Sequence, residues 1–287
     1  MSKEANPYLH NARGSAQTKK SVVAFLDVLG FSDRMQQAYT DGTDADLLRA
    51  LRSALTGARE AFRGYDASTL IEHPPSVKYR DNVGFWQLKA FTDNIVIGCP
   101  LSLDDDGEAE LGALVLSLRW YQLEMVNRGF FVRGGIAIGE LYMDEDIVFG
   151  DALIEAHRIE SEVACDPRIV LSETIGPYLL RHAQSYSGPQ EFPYNQTLLV
   201  DADGQLFVNY LGATFDENSE GPDLSAIKAH RTSVTSMLDL HKASPAIWAK
   251  YVWAANYHNF ICDEQQGPLL ELQIEPSLLR LTPTRIL

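Results

Sequence analysis

Two aspartates lie where short apolar strands are predicted to end, which is a placement that suits a divalent cation. Asp27 directly follows the apolar run 21–26, and Asp93 lies in a Thr-Asp-Asn reversal between the apolar runs WQLKAF and NIVIGCP. Because a sheet fixes the backbone of a strand's last residue, a carboxylate there is held rigidly and can bind a hard cation. Two such carboxylates could together hold two Mg²⁺ or Mn²⁺ ions, one activating an attacking hydroxyl and the other neutralising phosphates. The alternative is that both aspartates only form turns.

The elements that must bring these aspartates together are predicted from hydrophobic periodicity. Strands are predicted at 21–26, 86–91, 94–100, 130–143, 147–150 and 168–172, with a hairpin at 198–211, and helices at 44–62, 111–127 and 151–164. Their order is β-α-β-β-α-β with additions, the split β-α-β or ferredoxin-like arrangement of an α+β protein. In this arrangement the end of the first strand and the following hairpin can be neighbours.

The chain divides by composition into three parts. Residues 1–20 are rich in polar and small residues and are predicted to form a flexible arm, followed by one domain at 21–215. A helical pattern runs from 224 to 261. It predicts that 222–287 form a C-terminal helical extension packed on the core.

Charge and composition exclude several functions. The formal net charge is −15, which argues against nucleic-acid binding because phosphate backbones are bound by clustered Lys and Arg. A compact triphosphate remains compatible, since acidic residues can bind it through its divalent cations. Asp27 interrupts the first apolar run, and no run approaches the roughly 20 apolar residues of a membrane-spanning helix. We therefore expect a cytoplasmic protein without membrane insertion.

Other enzyme signatures are missing from the sequence. Gly134, Gly135 and Gly139 do not fit a dinucleotide-binding fingerprint and no GK[ST] occurs, so we interpret them as strand glycines that permit close packing. No HxxxH or HxH pair favours zinc, and no GxSxG elbow presents a nucleophilic serine. The three cysteines are far apart and odd in number, which predicts neither a disulfide framework nor a zinc ribbon.

Three segments resemble class III nucleotidyl cyclases in type, order and approximate spacing. They are FLDVLGFS, KAFTDN and the stretch from FVRGGIAIGELY through FGDALIEAHRIESEVA to RIVLS, and they span about 21–175. The resemblance implies a class III cyclase core in which Asp27 and Asp93 hold two divalent cations, Mn²⁺ or Mg²⁺, and the Val28 carbonyl completes a metal shell. Phe31 would belong to the nucleotide-binding Gly-Phe-Ser turn. Arg158 would stabilise the transition state.

The match to purine cyclases is weaker where the base and ribose are bound. Lys89 falls at the base-recognising Lys, but its usual polar companion is Ile147 and the ribose-orienting Asn is Ile154. An apolar Ile cannot recognise a purine edge by hydrogen bonding, which disfavours adenine and guanine. These departures, with the aromatic tail IWAKYVWAANYHNF, resemble the pyrimidine cyclases of bacterial Pycsar anti-phage systems. In those systems cyclic UMP or cyclic CMP activates a separate effector with a cyclic-nucleotide-binding domain.

The resemblance implies that the chain converts UTP into 3′,5′-cyclic UMP and pyrophosphate. It also implies a head-to-tail homodimer with shared active sites, the metals coming from one protomer and Lys89 and Arg158 from the other. Tyr79 could face the base, and Arg34 or Arg133 could bind the triphosphate.

Alternative functions remain open from the sequence. A cytidylate cyclase is one, and an adenylate or guanylate cyclase, favoured by Lys89, is another. A catalytically silent dimeric nucleotide-binding module is favoured by Ile154. Taken alone, Arg158 would be a surface partner of Glu155 or Glu162.

Overall fold

The computed structural model describes residues 6–10, 15–64, 86–102, 106–215, 221–265 and 267–275. The strands in these ranges are β1 (Leu9–His10), β2 (Ser15–Ala16), β3 (Lys19–Val28), β4 (Gln87–Phe91), β5 (Asn94–Pro100), β6 (Val132–Met143), β7 (Val148–Phe149), β8 (Ile169–Leu171), β9 (Leu198–Val200) and β10 (Leu206–Val208). The α-helices are α1 (Phe31–Asp41), α2 (Asp44–Gly64), α3 (Glu108–Asn127), α4 (Asp151–Arg158), α5 (Gly176–Ala183), α6 (Tyr194–Thr197), α7 (Leu224–Leu240) and α8 (Pro245–Gln265).

One eight-stranded sheet forms the centre of the fold. Its order is β4-β5-β3-β6-β8-β10-β9, with β7 paired to β6. Neighbouring strands are antiparallel except for the parallel pair β6 and β8. The helical connection from β3 to β4 skips β5, and the connection from β5 to β6 skips β3, which is the split β-α-β order expected from the sequence. The protein is therefore α+β, with a mostly antiparallel sheet.

Alternation along β3 assigns its side chains to the two faces of the sheet. Val22, Ala24 and Leu26 belong to the main core, which they share with residues of α2 and α3. Val23 and Phe25 face the opposite side, where α4 packs. Asp27 follows in the same alternation, so its carboxylate lies on the α4 face.

The helix α4 lies directly on β6 because β6 has glycines at the contact. A Cβ on Gly135 would lie 2.2 Å from the Ala156 carbonyl oxygen, and one on Gly139 would lie 2.6 Å from Asp151 Oδ1. The interpretation of these residues as packing glycines is confirmed. At its end α4 continues into a π-helix, Ile159–Val163.

The C-terminal helices α7 and α8 cover a second core that includes Phe131 and Tyr210. Two hydrogen bonds fix α8 on the β9–β10 hairpin: Trp253 Nε1 donates to Asp201 Oδ2 at 2.6 Å, and the Tyr257 hydroxyl donates to Asn209 Oδ1 at 2.7 Å. The described part of the predicted extension is thus helical and packed on the core. None of the described helices combines the length and apolarity needed to cross a membrane.

The N-terminal segment and the helix α1 are among the elements that differ from the sequence expectations. Part of the predicted N-terminal arm is packed on the fold: β3 begins at Lys19, and Tyr8 is fully buried, with its hydroxyl donating to Ser21 Oγ at 3.1 Å. The helix α1 was not predicted, although Phe31, Met35 and Ala38 have helical spacing in the sequence; of these, Phe31 and Ala38 are buried.

Candidate metal and nucleotide site

Asp27 and Asp93 are brought together by the pairing of β3 with β5. Asp27 lies directly opposite Asn94, and Asp93 precedes Asn94 at the tip of the β4–β5 hairpin. Burial raises the pKa of Asp27, hydrogen bonding and charge from Arg133 oppose the shift, and the nearby Asp93 raises the pKa further. The two carboxylates predicted from the sequence to meet are therefore close enough to influence each other.

The hairpin tip that carries Asp93 is strained. Thr92 has φ of 56°, a left-handed conformation that no other non-glycine residue in the described ranges adopts. A β-branched residue is unfavourable there, and such strain tends to persist where the surrounding structure, often a functional site, enforces it. The Thr92 hydroxyl donates to the Phe91 carbonyl at 2.6 Å. The turn thus holds Asp93 in a defined position beside Asp27.

A third carboxylate, Glu160, joins the site through Arg133. Arg133 lies opposite Asp27 on β6 and donates from Nε to Asp27 Oδ2 at 3.0 Å, while its Nη2 lies 2.7 Å from Glu160 Oε1. Glu160 is only 4% exposed. Burial raises its pKa, Arg133 opposes this, and the charges of Asp27 and Asp93 add to the rise.

Glu160 was not identified from the sequence, and Arg133 was only one of two candidate cations. A signal for Glu160 was present, since it lies at position i+4 from Ala156 and i+8 from Ala152, on the buried stripe of α4. A glutamate on such a stripe requires a charged partner.

The acidic cluster formed by Asp27, Asp93 and Glu160 contains three carboxylates and one guanidinium, so negative charge is in excess when all three are ionised. Hard oxygen donors of this kind are what Mg²⁺ and Mn²⁺ bind. Val28 ends β3 directly after Asp27, with its side chain in the main core. In the part of the chain that the structure describes, no group of three or more His, Cys, Asp or Glu side chains is already arranged as a cation site.

A cleft of about 490 Å³ opens beside the acidic cluster, between the sheet and α4. Lys89 lies opposite Val96 on the neighbouring strand, in the row of the sheet that also contains Phe25. This row is two residues along β3 from Asp27, a distance of roughly 7 Å. The cleft is lined by Phe25, Lys89, Phe91, Val96, Asp146, Val148, Leu153, Ile154 and His157.

The carboxylate that lines the cleft together with Lys89 is Asp146. The position chosen from spacing, Ile147, is 54% exposed and is not a lining residue. Asp144 fixes this turn, because its Oδ1 accepts from the backbone N–H groups of Asp146 and Ile147 at 2.8 Å each, and its Oδ2 accepts from the Tyr142 hydroxyl at 2.6 Å. The turn thus brings Asp146, and not Ile147, into the lining of the cleft with Lys89.

Arg158 lies on the exposed side of α4 and not at the acidic cluster of its own chain. Its Nε and Nη2 each donate to the Glu155 carboxylate at 2.9 Å, and its Nη1 lies 3.5 Å from Glu162 Oε2. These are the surface partners that its sequence position suggested. Ile154, one turn earlier, is 71% exposed, so the two positions share a solvent-facing side.

The remaining predicted nucleotide-binding residues differ in where they lie and what they contact. Phe31 begins α1 and its side chain is buried in the main core, so only its backbone N–H, at a helix N-terminus without a side-chain cap, could bind an anion. Arg34 donates from Nη1 to the Gly129 carbonyl at 2.7 Å and lies over the Phe130 ring, which leaves Arg133 as the candidate cation at the cluster. Tyr79 lies outside the described residues.

No protein-family model matches the chain, and no curated protein matches its sequence. Chemically, the described site combines an acidic cluster suited to a divalent cation with a mostly apolar cleft that contains one cation and one carboxylate. Both features lie on the same face of the sheet.

Proposed function

We propose that the chain is a class III nucleotidyl cyclase that converts UTP into 3′,5′-cyclic UMP and pyrophosphate. The observation that carries the proposal is the meeting of Asp27 and Asp93 on the sheet face that also bears the cleft with Lys89 and Asp146. The β-α-β-β-α-β order of the core and the resemblance of its segments to the family support the same conclusion.

The acidic cluster supports a metal-assisted reaction. Asp27, Asp93 and the Val28 carbonyl would hold two divalent cations, Mn²⁺ or Mg²⁺, which neutralise the triphosphate and favour ionisation of the ribose 3′-hydroxyl when bound. Arg133 contributes a positive charge beside these carboxylates. The uncapped N-terminus of α1 at Phe31 adds backbone N–H groups that suit a phosphate.

The reaction is an in-line displacement at the α-phosphorus. The 3′-oxygen loses its proton to solvent and bonds to the α-phosphorus, while the bond from that phosphorus to the α,β-bridging oxygen breaks and pyrophosphate leaves. Arg158 offsets the charge that grows on the phosphoryl oxygens, a preorganised electrostatic contribution.

A head-to-tail homodimer is part of the proposal. Arg158 faces away from the acidic cluster of its own chain, so it would act on the cluster of a second copy. Exposed apolar side chains surround the cleft, as expected of a face that a partner covers, and they are Phe91, Ile147, Phe149 and Ile154. A second copy on this face would bring the cluster of one chain opposite the cleft of the other.

Base recognition is assigned to Lys89 and Asp146, two of the three polar residues that line the cleft, the third being His157. Lys89 donates and Asp146 accepts, which matches the N3–H and adjacent carbonyl of uracil. The choice of UTP rests on the resemblance to the pyrimidine cyclases, whose products activate a separate effector in cytoplasmic anti-phage defence. Cytosine also offers a donor beside an acceptor, so CTP is the near alternative. Purine triphosphates are the second candidate class of substrate, because Asp146 offers the purine edge a polar partner that the apolar Ile147 could not offer.

The decisive experiment is incubation of the protein with each of the four ribonucleoside triphosphates and Mn²⁺, with the product identified by mass. Cyclic UMP is expected, and Asp93→Asn is expected to abolish it. Glu124→Gln, which alters a half-exposed ion pair with Arg128 on α3, is the matched control and is expected to keep activity. Absence of a cyclic product with all four substrates would refute the enzyme and favour a silent nucleotide-binding module.

The shared site is tested by mixing two inactive proteins. Asp93→Asn and Arg158→Ala, each inactive alone, are expected to regain part of the activity when their subunits exchange, because one of the two sites in the mixed dimer is intact. No recovery, under conditions where exchange is demonstrated, would overturn the head-to-tail arrangement.

A further inference from the structure

Arg133 is shared by two carboxylates of unequal accessibility. Its guanidinium contacts Asp27 Oδ2 through Nε and Glu160 Oε1 through Nη2. The side chain of Asp27 is 16% exposed and that of Glu160 only 5%. Oε1 of Glu160 accepts no well-aligned hydrogen bond from the described residues, so its contact with Arg133 is mainly electrostatic. Glu160 is thus a buried charge whose described ion-pair partner is Arg133.

A divalent cation that binds Asp27 through Oδ2 competes with Arg133. Both need the same carboxylate, and Asp27 Oδ2 already accepts from Arg133 Nε. A partly buried guanidinium that loses its only anionic partner is strongly unfavourable. The cation can therefore displace Arg133 from Asp27 at low cost only if a second carboxylate retains the guanidinium.

We propose that Glu160 is a positioning residue that retains Arg133 when a divalent cation takes Asp27. The inference rests on the proposed function of the acidic cluster and concerns how readily that cluster binds a cation. Glu160 does not bind the cation itself. It acts through Arg133 by lowering the competition for Asp27, and its burial under the sheet at the start of the π-helix keeps it in place.

The test is Mn²⁺ binding to the nucleotide-free protein, measured by electron paramagnetic resonance. Glu160→Gln keeps the shape of the side chain but removes its charge, so Arg133 stays on Asp27 and Mn²⁺ binding is expected to weaken about tenfold, as for other residues that orient metal ligands. Glu124→Gln, the same chemical change in the Arg128 pair, is expected to leave Mn²⁺ binding unchanged.

The Arg133→Gln background separates positioning from a direct charge effect. Without the guanidinium there is no competition, so Glu160→Gln is expected to have no further effect on Mn²⁺ binding. An equal weakening in both backgrounds would overturn the inference, because Glu160 would then act on the cation directly. Unchanged binding in Glu160→Gln alone would overturn it as well.

Thermal unfolding establishes that each variant is folded. If Glu160→Gln does not fold, Glu160→Asp replaces it. The shorter side chain moves the carboxylate away from Arg133 and weakens their ion pair, so Mn²⁺ binding is expected to weaken only when Arg133 is present. The Asp27→Asn variant tests the proposed cation site itself. If that variant binds Mn²⁺ as tightly as the unaltered protein does, the proposed function fails, whatever the result for Glu160. A cation site that depends on Asp27 but not on Glu160 refutes this inference alone.

Discussion

A buried chain of hydrogen bonds joins α7 to α8 through two histidines, His230 and His258. Both are fully buried, their rings stack, and their Nδ1 atoms lie 3.0 Å apart. His258 Nε2 lies 3.0 Å from the Leu272 carbonyl, and the Tyr210 hydroxyl lies 2.8 Å from His230 Nε2. Acid is expected to destabilise the fold at this place.

The positions of the protons along these hydrogen bonds follow from the Leu272 carbonyl, which can only accept. Because the Leu272 carbonyl accepts, His258 Nε2 must donate and its Nδ1 must accept from His230 Nδ1. His230 Nε2 is then left to accept from Tyr210. Both rings are neutral in this arrangement, and an additional proton on His258 Nδ1 would place two donors face to face. Protonation of His258 therefore breaks this series of hydrogen bonds, whereas the Tyr210 hydroxyl can accept from a protonated His230 Nε2.

The size of the effect follows from the pKa of His258. Burial, with a smaller contribution from the Arg231 charge, lowers this pKa to about 4, against the upward effect of the Leu272 hydrogen bond. Since the unfolded state then binds protons more readily, the stability contributed by His258 is complete above about pH 6.5 and is lost as the pH falls towards 4. This histidine alone is expected to cost about 2 kcal/mol between pH 7 and pH 5. Burial also lowers the pKa of His230, which acts in the same direction.

The assay is urea unfolding at pH 7 and pH 5, followed by tryptophan fluorescence. Burial raises the pKa values of Asp27 and Glu160, which contribute with the opposite sign, so the unaltered protein is compared with a variant. His258→Gln keeps a donor for Leu272 but cannot titrate. It is expected to be less stable at pH 7 and to show a smaller stability loss between pH 7 and pH 5. The same loss in both proteins would refute the reasoning.

Two further predictions concern α4 and the cleft. Gly135→Ala is expected to destabilise the fold by about 1 to 3 kcal/mol in urea unfolding, because its Cβ would meet the Ala156 carbonyl at 2.2 Å. Gly176→Ala, where a Cβ would meet nothing within 4 Å, is the control, and equal losses would contradict the close contact of α4 with β6. Asp146→Asn is expected to lower kcat/KM for the preferred triphosphate about tenfold, since a charged acceptor for the base is lost. Steady-state kinetics with all four triphosphates measures this change, and an unaltered preference would remove Asp146 from base recognition.

The sequence by itself determined the frame of the site. Apolar runs of strand length predicted β3, β4 and β5, and the Thr-Asp-Asn reversal predicted their turn, so the neighbouring positions of Asp27 and Asp93 could be expected before the structure. Glycines inside a strand pattern likewise predicted the close packing on β6. These features are local, because hydrophobic periodicity reports which face of its own element a residue occupies.

Only the tertiary structure decided which side chains meet. Arg133 joins Asp27 because β6 pairs with β3 in one register, and Glu160 reaches Arg133 because glycines let α4 approach the sheet. The choice of Asp146 over Ile147 depends on hydrogen bonds within a turn, which spacing does not reveal. Strand register and helix docking are set by contacts between residues far apart in the chain. No single segment of the sequence encodes them.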